Sequence, residues 1–267
     1  MAYAYHQDRT RYFEHQCRVT AEYVIPFIEE SGALPADAHV LEVGCGEAGV
    51  LEAFLERGAT AVGVDRNGTR LERGKQQLAE AIRAGRLQLL QQDAHTLSQH
   101  EGFRGAFDLI VLKDVLEHVE RRLELLGTLR QLLRPGGRVF IAFPPWRMPF
   151  GGHQQICRSK VLSRLPYFHL LPEKPYARLL AAFGEAPARI DSLLATKRTG
   201  IGTSAFEDLV AAADHQILTR RLFLLNPMYS YRFGLPPMEQ LSGLAQGSLI
   251  QDFVSTCAYY TIEPLRA

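Results

Sequence analysis

Residues 40–49, Val-Leu-Glu-Val-Gly-Cys-Gly-Glu-Ala-Gly, constrain the fold of this chain more than any other segment. A short apolar run leads into a glycine-rich turn and then into apolar residues at helical spacing, which predicts a strand, a tight loop and a helix start. Gly44 and Gly46 lack a Cβ, so a ligand can lie against bare peptide N–H groups. With Asp65 about 20 residues later, the loop matches the G-x-G-x-x-G pattern of dinucleotide-binding folds, which leaves nicotinamide cofactors and other nucleosides open.

Short apolar strands alternate with helical patterns in the first half of the chain. Strands are predicted at residues 40–43, 61–64, 87–91, 107–112 and 138–143. This alternation indicates right-handed β-α-β units, with a parallel sheet covered by helices on both faces. Two more strands are predicted at residues 216–225 and 253–262, and their connection is poor in helical signal, so the last strand can run antiparallel. We therefore predict an α/β, Rossmann-like, seven-stranded and mostly parallel sheet.

Residues 144–202 differ in composition from the segments before them. Prolines and aromatics crowd together there, too apolar for disorder and too irregular for a sheet, and we predict a helical lid over the ligand-binding edge of the sheet. The predicted organisation has four parts: an N-terminal helical cap (1–33), a cofactor-binding core (34–147), a helical lid or substrate insertion (148–202) and the C-terminal part of the core sheet (203–267).

Composition excludes several classes of function. A formal net charge of +1 and a pI of about 7.8 give no field that would attract nucleic acid or anionic lipid. The four cysteines form no C-x-x-C pair, so we expect no disulfide framework and no metal site. Neither a signal peptide nor a membrane-spanning run is expected. We therefore predict a cytoplasmic protein that acts on a small molecule, with its oligomeric state open.

Five motifs in a fixed order narrow the choice of nucleoside. They are Val40-Leu-Glu-Val-Gly-Cys-Gly, Gly63-Val-Asp, Gln92-Asp-Ala, Phe107-Asp-Leu-Ile-Val-Leu-Lys-Asp-Val-Leu-Glu-His-Val and Leu133-Arg-Pro-Gly-Gly-Arg. Together they resemble the class I S-adenosylmethionine-dependent methyltransferases, in particular the small-molecule group that includes the ubiquinone-biosynthesis O-methyltransferases. The resemblance covers roughly residues 36–145 and implies S-adenosylmethionine as the cofactor.

The resemblance also implies roles for residues around the glycine loop. Gly44 and Gly46 leave room for the methionine and ribose portions of the cofactor, and Cys45 is a small spacer between them. Glu42, at the end of the first strand, can attract the cofactor ammonium. Asp65, at the end of the second strand, can accept hydrogen bonds from both ribose hydroxyls.

Four further positions complete the cofactor site that the resemblance implies. Arg66 can stack on or flank the adenine, and Asp93 can accept a hydrogen bond from the adenine amino group. The backbone of Ala94 can reach a ring nitrogen, and Lys113 contributes backbone beside the methionine end. The alternative for Asp65 and Asp93 is that each is only a helix cap.

Methyl transfer to a hydroxyl or an amine requires a base, and histidine is the natural choice. His153, in a Gly-Gly-His-Gln run after the fifth strand, and His118, after the fourth strand, both follow the carboxyl ends of strands, where open α/β sheets bind ligands. His15 is a third candidate. The alternative for each histidine is a structural role.

The sequence thus predicts a methyltransferase that methylates oxygen or nitrogen of a small or medium-sized, partly apolar acceptor. Two rivals stay open. One is an NAD(P)-dependent Rossmann oxidoreductase, and the other is a methyltransferase-like protein that only binds the cofactor and scaffolds a partner. Titration with NADH and with S-adenosylhomocysteine distinguishes a methyltransferase from the oxidoreductase. Incubation with a labelled methyl donor distinguishes it from the scaffold protein.

Overall fold

The computed structural model describes residues 8–240 and 250–265 as an α/β fold built on one eight-stranded sheet. The strand order is β3-β2-β1-β4-β5-β8-β6-β7. The strands are β1 (His39–Val43), β2 (Thr60–Asp65), β3 (Leu87–Gln91), β4 (Phe107–Lys113), β5 (Leu133–Phe143), β6 (His215–Leu225), β7 (Met238–Glu239) and β8 (Cys257–Pro264).

The first five strands pair in parallel, and β8 pairs antiparallel with both β5 and β6. The predicted mostly parallel sheet with an antiparallel last strand is therefore confirmed. The structure adds the two-residue β7, which pairs antiparallel with β6 and was not predicted. It also starts β8 four residues later than predicted, at Cys257, because residues 250–254 form a short helix.

Helices cover both faces of this sheet. They are α1 (Arg9–Val19), α2 (Ile25–Glu29), α3 (Gly49–Glu56), α4 (Gly68–Gln77), α5 (Ala79–Arg83), α6 (Arg122–Leu132), α7 (Glu173–Ala182), α8 (Pro187–Arg198), α9 (Thr203–Ala212), α10 (Met228–Phe233) and α11 (Ile250–Val254). A π-helical turn, Thr20–Val24, joins α1 to α2. No helix in residues 8–240 or 250–265 is long and apolar enough to cross a bilayer.

The two faces of the sheet bury separate apolar clusters. Successive side chains of a strand point to opposite faces, so Tyr259 and Tyr260 of β8 enter different clusters. Tyr259 packs edge-on against Phe27 and Phe140, under the N-terminal helices. Tyr260 packs against Phe206 of α9 on the other face. Each such side chain contributes roughly 1.5–3 kcal/mol by leaving water, so the layers on both faces stabilise the sheet.

The segment between β5 and α9 has a small core of its own. Its first part consists of three 3₁₀ turns, Gln154–Ile156, Leu162–Arg164 and Phe168–Leu170, and its second part is α7 and α8. Leu162, Tyr176, Leu180 and Leu193 are fully buried together in this segment. The helical content predicted for residues 148–202 is thus confined mainly to their second half, and action as a lid stays a prediction.

Candidate functional site

The carboxyl ends of β1 to β4 bring the predicted cofactor residues to one edge of the sheet. Glu42 lies in β1, Asp65 ends β2, Asp93 follows β3 and Lys113 ends β4. The strand order reverses between β1 and β4, because β2 and β3 lie on one side of β1 and β5 lies beyond β4. Ligands of open α/β sheets bind in the crevice at such a reversal.

The glycine loop after β1 is held by backbone hydrogen bonds. The N–H groups of Gly44 and Cys45 both donate to the carbonyl of Val64, at 2.7 and 3.0 Å. Gly44 has φ +74°, and a Cβ there would overlap Cγ2 of Val115, so the loop requires glycine. Cys45 is buried, and burial raises the pKa of its thiol well above the ordinary value. Cys45 is therefore an inert spacer in this loop.

Gly49, the third glycine of the pattern, lies in the first turn of α3 and brings the N-terminal helix close. A Cβ at Gly49 would meet the carbonyl oxygen of Phe13 at 2.8 Å, which is closer than real Cβ contacts come. Glu47, buried beside it, forms ion pairs of 3.7 Å with Arg9 and 3.4 Å with Arg73. Helix α1 is thus packed directly onto the glycine loop.

Asp65 connects the glycine loop to the start of α4. Its Oδ2 accepts from the N–H of Gly46 at 2.8 Å, and its Oδ1 accepts from the N–H of Asn67 at 2.7 Å. Each carboxylate oxygen has capacity for a further donor such as a hydroxyl. Sequence reasoning missed Arg70, whose guanidinium lies over Gly46 and 3.9 Å from Asp65 Oδ2. The sequence cue that could have pointed to Arg70 is Asn67, which caps α4 and accepts a hydrogen bond from the backbone N–H of Arg70.

Glu42 is a buried carboxyl, and its Oε2 has no hydrogen-bond partner among the described residues. Burial raises its pKa to about 8, against the opposing charges of Lys113 and Arg70. An unpaired buried carboxyl is costly, so this position favours a cationic ligand group. Lys113 does not supply it, because its ammonium pairs with Asp114 at 2.8 Å. Burial lowers the pKa of Lys113, but Asp114 outweighs this and the net pKa is raised.

Asp93 caps the 3₁₀ helix Ala94–Gln99. A helix cap was the alternative role given to Asp93 in the sequence analysis. Its Oδ1 accepts from the backbone N–H and from the ring Nδ1 of His95, both at 2.9 Å. These two bonds lower the pKa of the Asp93 carboxyl. The side chain is 41% exposed, so the cap leaves room for a further donor. Arg66, directly after β2, is exposed, and its charge also lowers the pKa of Asp93.

A cavity of about 570 Å³ lies beside this edge. Tyr12, Gln16, Lys113 and Asp114 line both this cavity and the smaller pocket around the glycine loop. Its apolar wall comes from the segment after β5, from β6 and from the segment containing α10, and comprises Met148, Phe150, Leu225, Met228, Phe233 and Leu235. Sequence reasoning missed this wall, because its parts are separated along the chain.

The two predicted catalytic histidines meet next to this cavity. The ring centroids of His118 and His153 are 5.0 Å apart, and His153 lines the cavity. Burial lowers the pKa of both rings, to about 4 at His153, where His118 lowers it further. Both imidazoles are therefore neutral near pH 7, and the low pKa makes His153 a weak proton acceptor. His15, the third candidate, is buried in α1 and does not line the cavity.

Comparison with known proteins identifies relatives of this arrangement. Residues 41–139 match the family described as "Methyltransferase domain". The chain is 28% identical over 143 residues to a ubiquinone biosynthesis O-methyltransferase of Sodalis glossinidius, covering 49% of this chain and 53% of that protein. A homologue in Pseudomonas paraeruginosa is 29% identical over 119 residues, covering 44% of this chain and 49% of the relative. The chain thus matches about half the length of these curated relatives.

Solved structures show the same fold at low identity. A geranyl diphosphate C-methyltransferase of Streptomyces coelicolor, crystallised with Mg²⁺, geranyl diphosphate and S-adenosyl-L-homocysteine, aligns with a TM-score of 0.57 at 15% identity, over 93% of this chain and 80% of that one. A putative sarcosine dimethylglycine methyltransferase of Galdieria sulphuraria aligns with a TM-score of 0.58 at 12% identity, over 92% and 85% of the two chains. These two likenesses concern the fold alone.

Proposed function

We propose that this chain is a class I S-adenosylmethionine-dependent methyltransferase, with S-adenosylmethionine as its cofactor. The proposed reaction is transfer of the cofactor's methyl group to an oxygen or nitrogen of a small or medium-sized, partly apolar acceptor. One observation supports it above the others. The pocket around the glycine loop and the apolar cavity share the wall formed by Tyr12, Gln16, Lys113 and Asp114, so donor and acceptor would meet across it.

The proposed cofactor contacts follow from the free hydrogen-bonding capacity at the sheet edge. Glu42, buried without a partner among the described residues, would face the cofactor ammonium. Asp65 would accept from the ribose hydroxyls with the lone pairs that its two backbone donors leave unused. Asp93 and the backbone of Ala94 would contact the adenine, with Arg66 flanking it. The backbone of Gly44, Cys45, Gly46 and Lys113 would pack against the ribose and methionine portions, while the N–H groups of Gly44, Cys45 and Gly46 stay hydrogen-bonded within the protein and are not bare as the sequence predicted.

Methyl transfer from a sulfonium is an in-line displacement that disperses charge. The C–S bond breaks as the bond from the acceptor atom to the methyl carbon forms, so alignment and exclusion of water supply most of the acceleration. The segment at residues 148–202 and helix α1 are the proposed cover of the site. A neutral acceptor must also lose a proton, and His153 and His118 are the proposed groups at that atom.

We also propose that the acceptor is a small molecule and that the protein is cytoplasmic. A net charge of +1 supports a small-molecule acceptor over a nucleic acid or an anionic membrane surface. The four cysteines are all unpaired, which supports a reducing, cytoplasmic compartment.

The test combines cofactor binding with turnover. Calorimetric titration with S-adenosylhomocysteine and with NADH should give binding of the first alone. Incubation with methyl-labelled S-adenosylmethionine and a panel of phenols, alcohols and amines of graded apolarity should then label at least one of them. NADH binding without S-adenosylhomocysteine binding would establish the oxidoreductase instead. Cofactor binding without label transfer to the panel or to a cell extract would establish the scaffold.

A further inference from the structure

Glu117, His118 and His153 form a three-residue cluster beside the cavity. One potential ligand atom from each side chain lies within 4.8 Å of the other two. Three ligands at about 2.0–2.2 Å from one metal ion lie roughly 3.3–3.8 Å apart, so the separations within this cluster would shrink by at most about 1.5 Å on binding an ion. Glu117 and His118 belong to the 3₁₀ turn after β4, and His153 comes from the segment after β5.

The carboxyl of Glu117 lacks the partner that a buried acid needs. Glu117 is 4% exposed, and its Oε2 is buried with no hydrogen-bond partner in the described part of the chain. Two cations lie near it, but both are engaged elsewhere. Arg122 donates to the carbonyls of Leu116 and Thr199, and Lys113 pairs with Asp114. A bound cation would satisfy this carboxyl.

The backbone around His153 is fixed in an uncommon conformation that holds its ring near His118. His153 has φ +54°, which costs a residue with a Cβ roughly 1–2 kcal/mol. The preceding Gly152 packs against His169, since a Cβ at Gly152 would overlap the Cβ of that histidine. His169 is itself anchored by a 2.8 Å hydrogen bond between its Nε2 and the carbonyl of Trp146. These contacts therefore fix the position of the turn that carries the imidazole of His153.

We propose that Glu117, His118 and His153 bind one divalent transition-metal ion. Two imidazoles and one carboxylate suit Zn²⁺, Fe²⁺ or Co²⁺ better than Mg²⁺ or Ca²⁺, which prefer oxygen-only sites. Glu117 and His153 line the 570 Å³ cavity, so the remaining coordination positions are open to the acceptor. The acceptor class that fits is an apolar molecule with a hydroxyl, which coordinates through its oxygen.

This inference rests on the proposed methyl transfer and refines its proton step. Coordination lowers the pKa of the acceptor hydroxyl, which releases its proton to water. The resulting oxygen attacks the methyl carbon, the O–CH₃ bond forms as the C–S bond breaks, and the sulfonium leaves as neutral S-adenosylhomocysteine. The two imidazoles then act as ligands and not as bases, so turnover depends on the metal.

The test uses the full chain stripped with a chelator and titrated with Co²⁺ alone. We expect one Co²⁺ per chain, with visible d–d bands typical of nitrogen and oxygen ligands. Glu117→Gln and His153→Ala should each weaken Co²⁺ binding at least about 100-fold, since loss of a ligand exceeds the 10–100-fold effect of an outer-shell partner. His100→Ala, which removes an imidazole that stacks on Phe103 outside the cluster, is the matched control and should bind Co²⁺ as the wild type does.

Binding of S-adenosylhomocysteine to each variant reports whether it is folded. The metal proposal is overturned if the wild-type chain binds no Co²⁺, or if His153→Ala binds it with unchanged affinity and spectrum while S-adenosylhomocysteine binding is retained. Metal titration needs no turnover, so it is independent of the proposed reaction. One bound Co²⁺ without methyl transfer would overturn the reaction alone, and methyl transfer undiminished in the chelated chain would overturn the metal's part in the reaction while leaving the proposed transfer in place.

Discussion

The edge of the sheet at the glycine loop and the 570 Å³ cavity beside it are neighbours built in different ways. At the edge, hydrogen bonds join the glycine loop to the end of β2: the N–H groups of Gly44 and Cys45 donate to the carbonyl of Val64, and the carboxylate of Asp65 accepts from the N–H groups of Gly46 and Asn67. In the cavity, side chains from α1, the segment after β5, β6 and the segment containing α10 are brought together from distant parts of the chain. The family match, residues 41–139, covers the first construction and ends before His153.

This difference teaches where specificity resides in such a fold. The hydrogen bonds at these strand ends require Gly44 and Asp65 at fixed positions, so few substitutions preserve this edge. Cavity walls made of side chains only have to be apolar and of the right size, so many sequences satisfy them. We therefore expect substitutions at the edge to change mainly cofactor binding, and substitutions in the wall to change mainly acceptor use.

The largest effect is expected from Asp65→Ala. This change removes the acceptor for Gly46 and Asn67 and the proposed bonds to the ribose, so the Kd of S-adenosylhomocysteine should rise about 100-fold or more. Calorimetric titration measures it, with Asp208→Ala on the exposed face of α9 as the control. A Kd within threefold of the wild type would show that the edge does not hold the cofactor through this acid.

Gly44→Ala tests whether the loop requires a residue without a side chain at position 44. The added Cβ would overlap Val115 at a positive φ, so we expect a Tm lower by several degrees and a Kd for S-adenosylhomocysteine raised about 10-fold. Gly85→Ala is the matched control, because Gly85 has φ +71° but no atom within 4 Å of its Cβ position. Equal losses of Tm in the two variants would attribute the effect to φ alone.

Phe150→Ala tests the apolar wall of the cavity. Phe150 lines the cavity and is 37% exposed, so its loss should raise the KM of an acceptor found in the panel by roughly fivefold to tenfold. The Kd of S-adenosylhomocysteine should not change. Phe183→Ala, at a phenylalanine 45% exposed outside the cavity, should leave both quantities unchanged. A larger change in cofactor Kd than in acceptor KM would contradict the expectation that the cavity wall determines acceptor use and the sheet edge determines cofactor binding.

The smallest effect concerns Glu42 and pH. Its pKa is raised from 4.5 to about 8 in the folded chain, so between these values the native state keeps a proton that the unfolded state has lost. Stability from this group therefore falls as pH rises from about 4.5 to about 8. Glu42→Gln should match the wild-type Tm near pH 5 and exceed it by a few degrees near pH 9. Exposed Glu80→Gln is the control, and a Tm difference independent of pH would refute the assignment.

The sequence predicted most of the edge and little of the cavity, for a physical reason. Strand periodicity and turn chemistry are local, so β1 to β5 and the positions of Glu42, Asp65 and Asp93 could be found. The meeting of His118 with His153 depends on how the segment after β5 packs, which no local pattern records. Arg70 was missed because its place over Gly46 follows from the packing of α4 against the loop.

Helix α1 borders both the pocket around the glycine loop and the cavity, because Gly49 lets Phe13 approach the glycine loop closely. Tyr12 and Gln16, joined by a 2.7 Å hydrogen bond, contribute to both sites from this one helix. If the two proposed ligands bind there, we expect any shift of the helix caused by one of them to alter the affinity for the other. Such coupling is reciprocal, so whatever factor the donor imposes on acceptor affinity, the acceptor imposes on donor affinity.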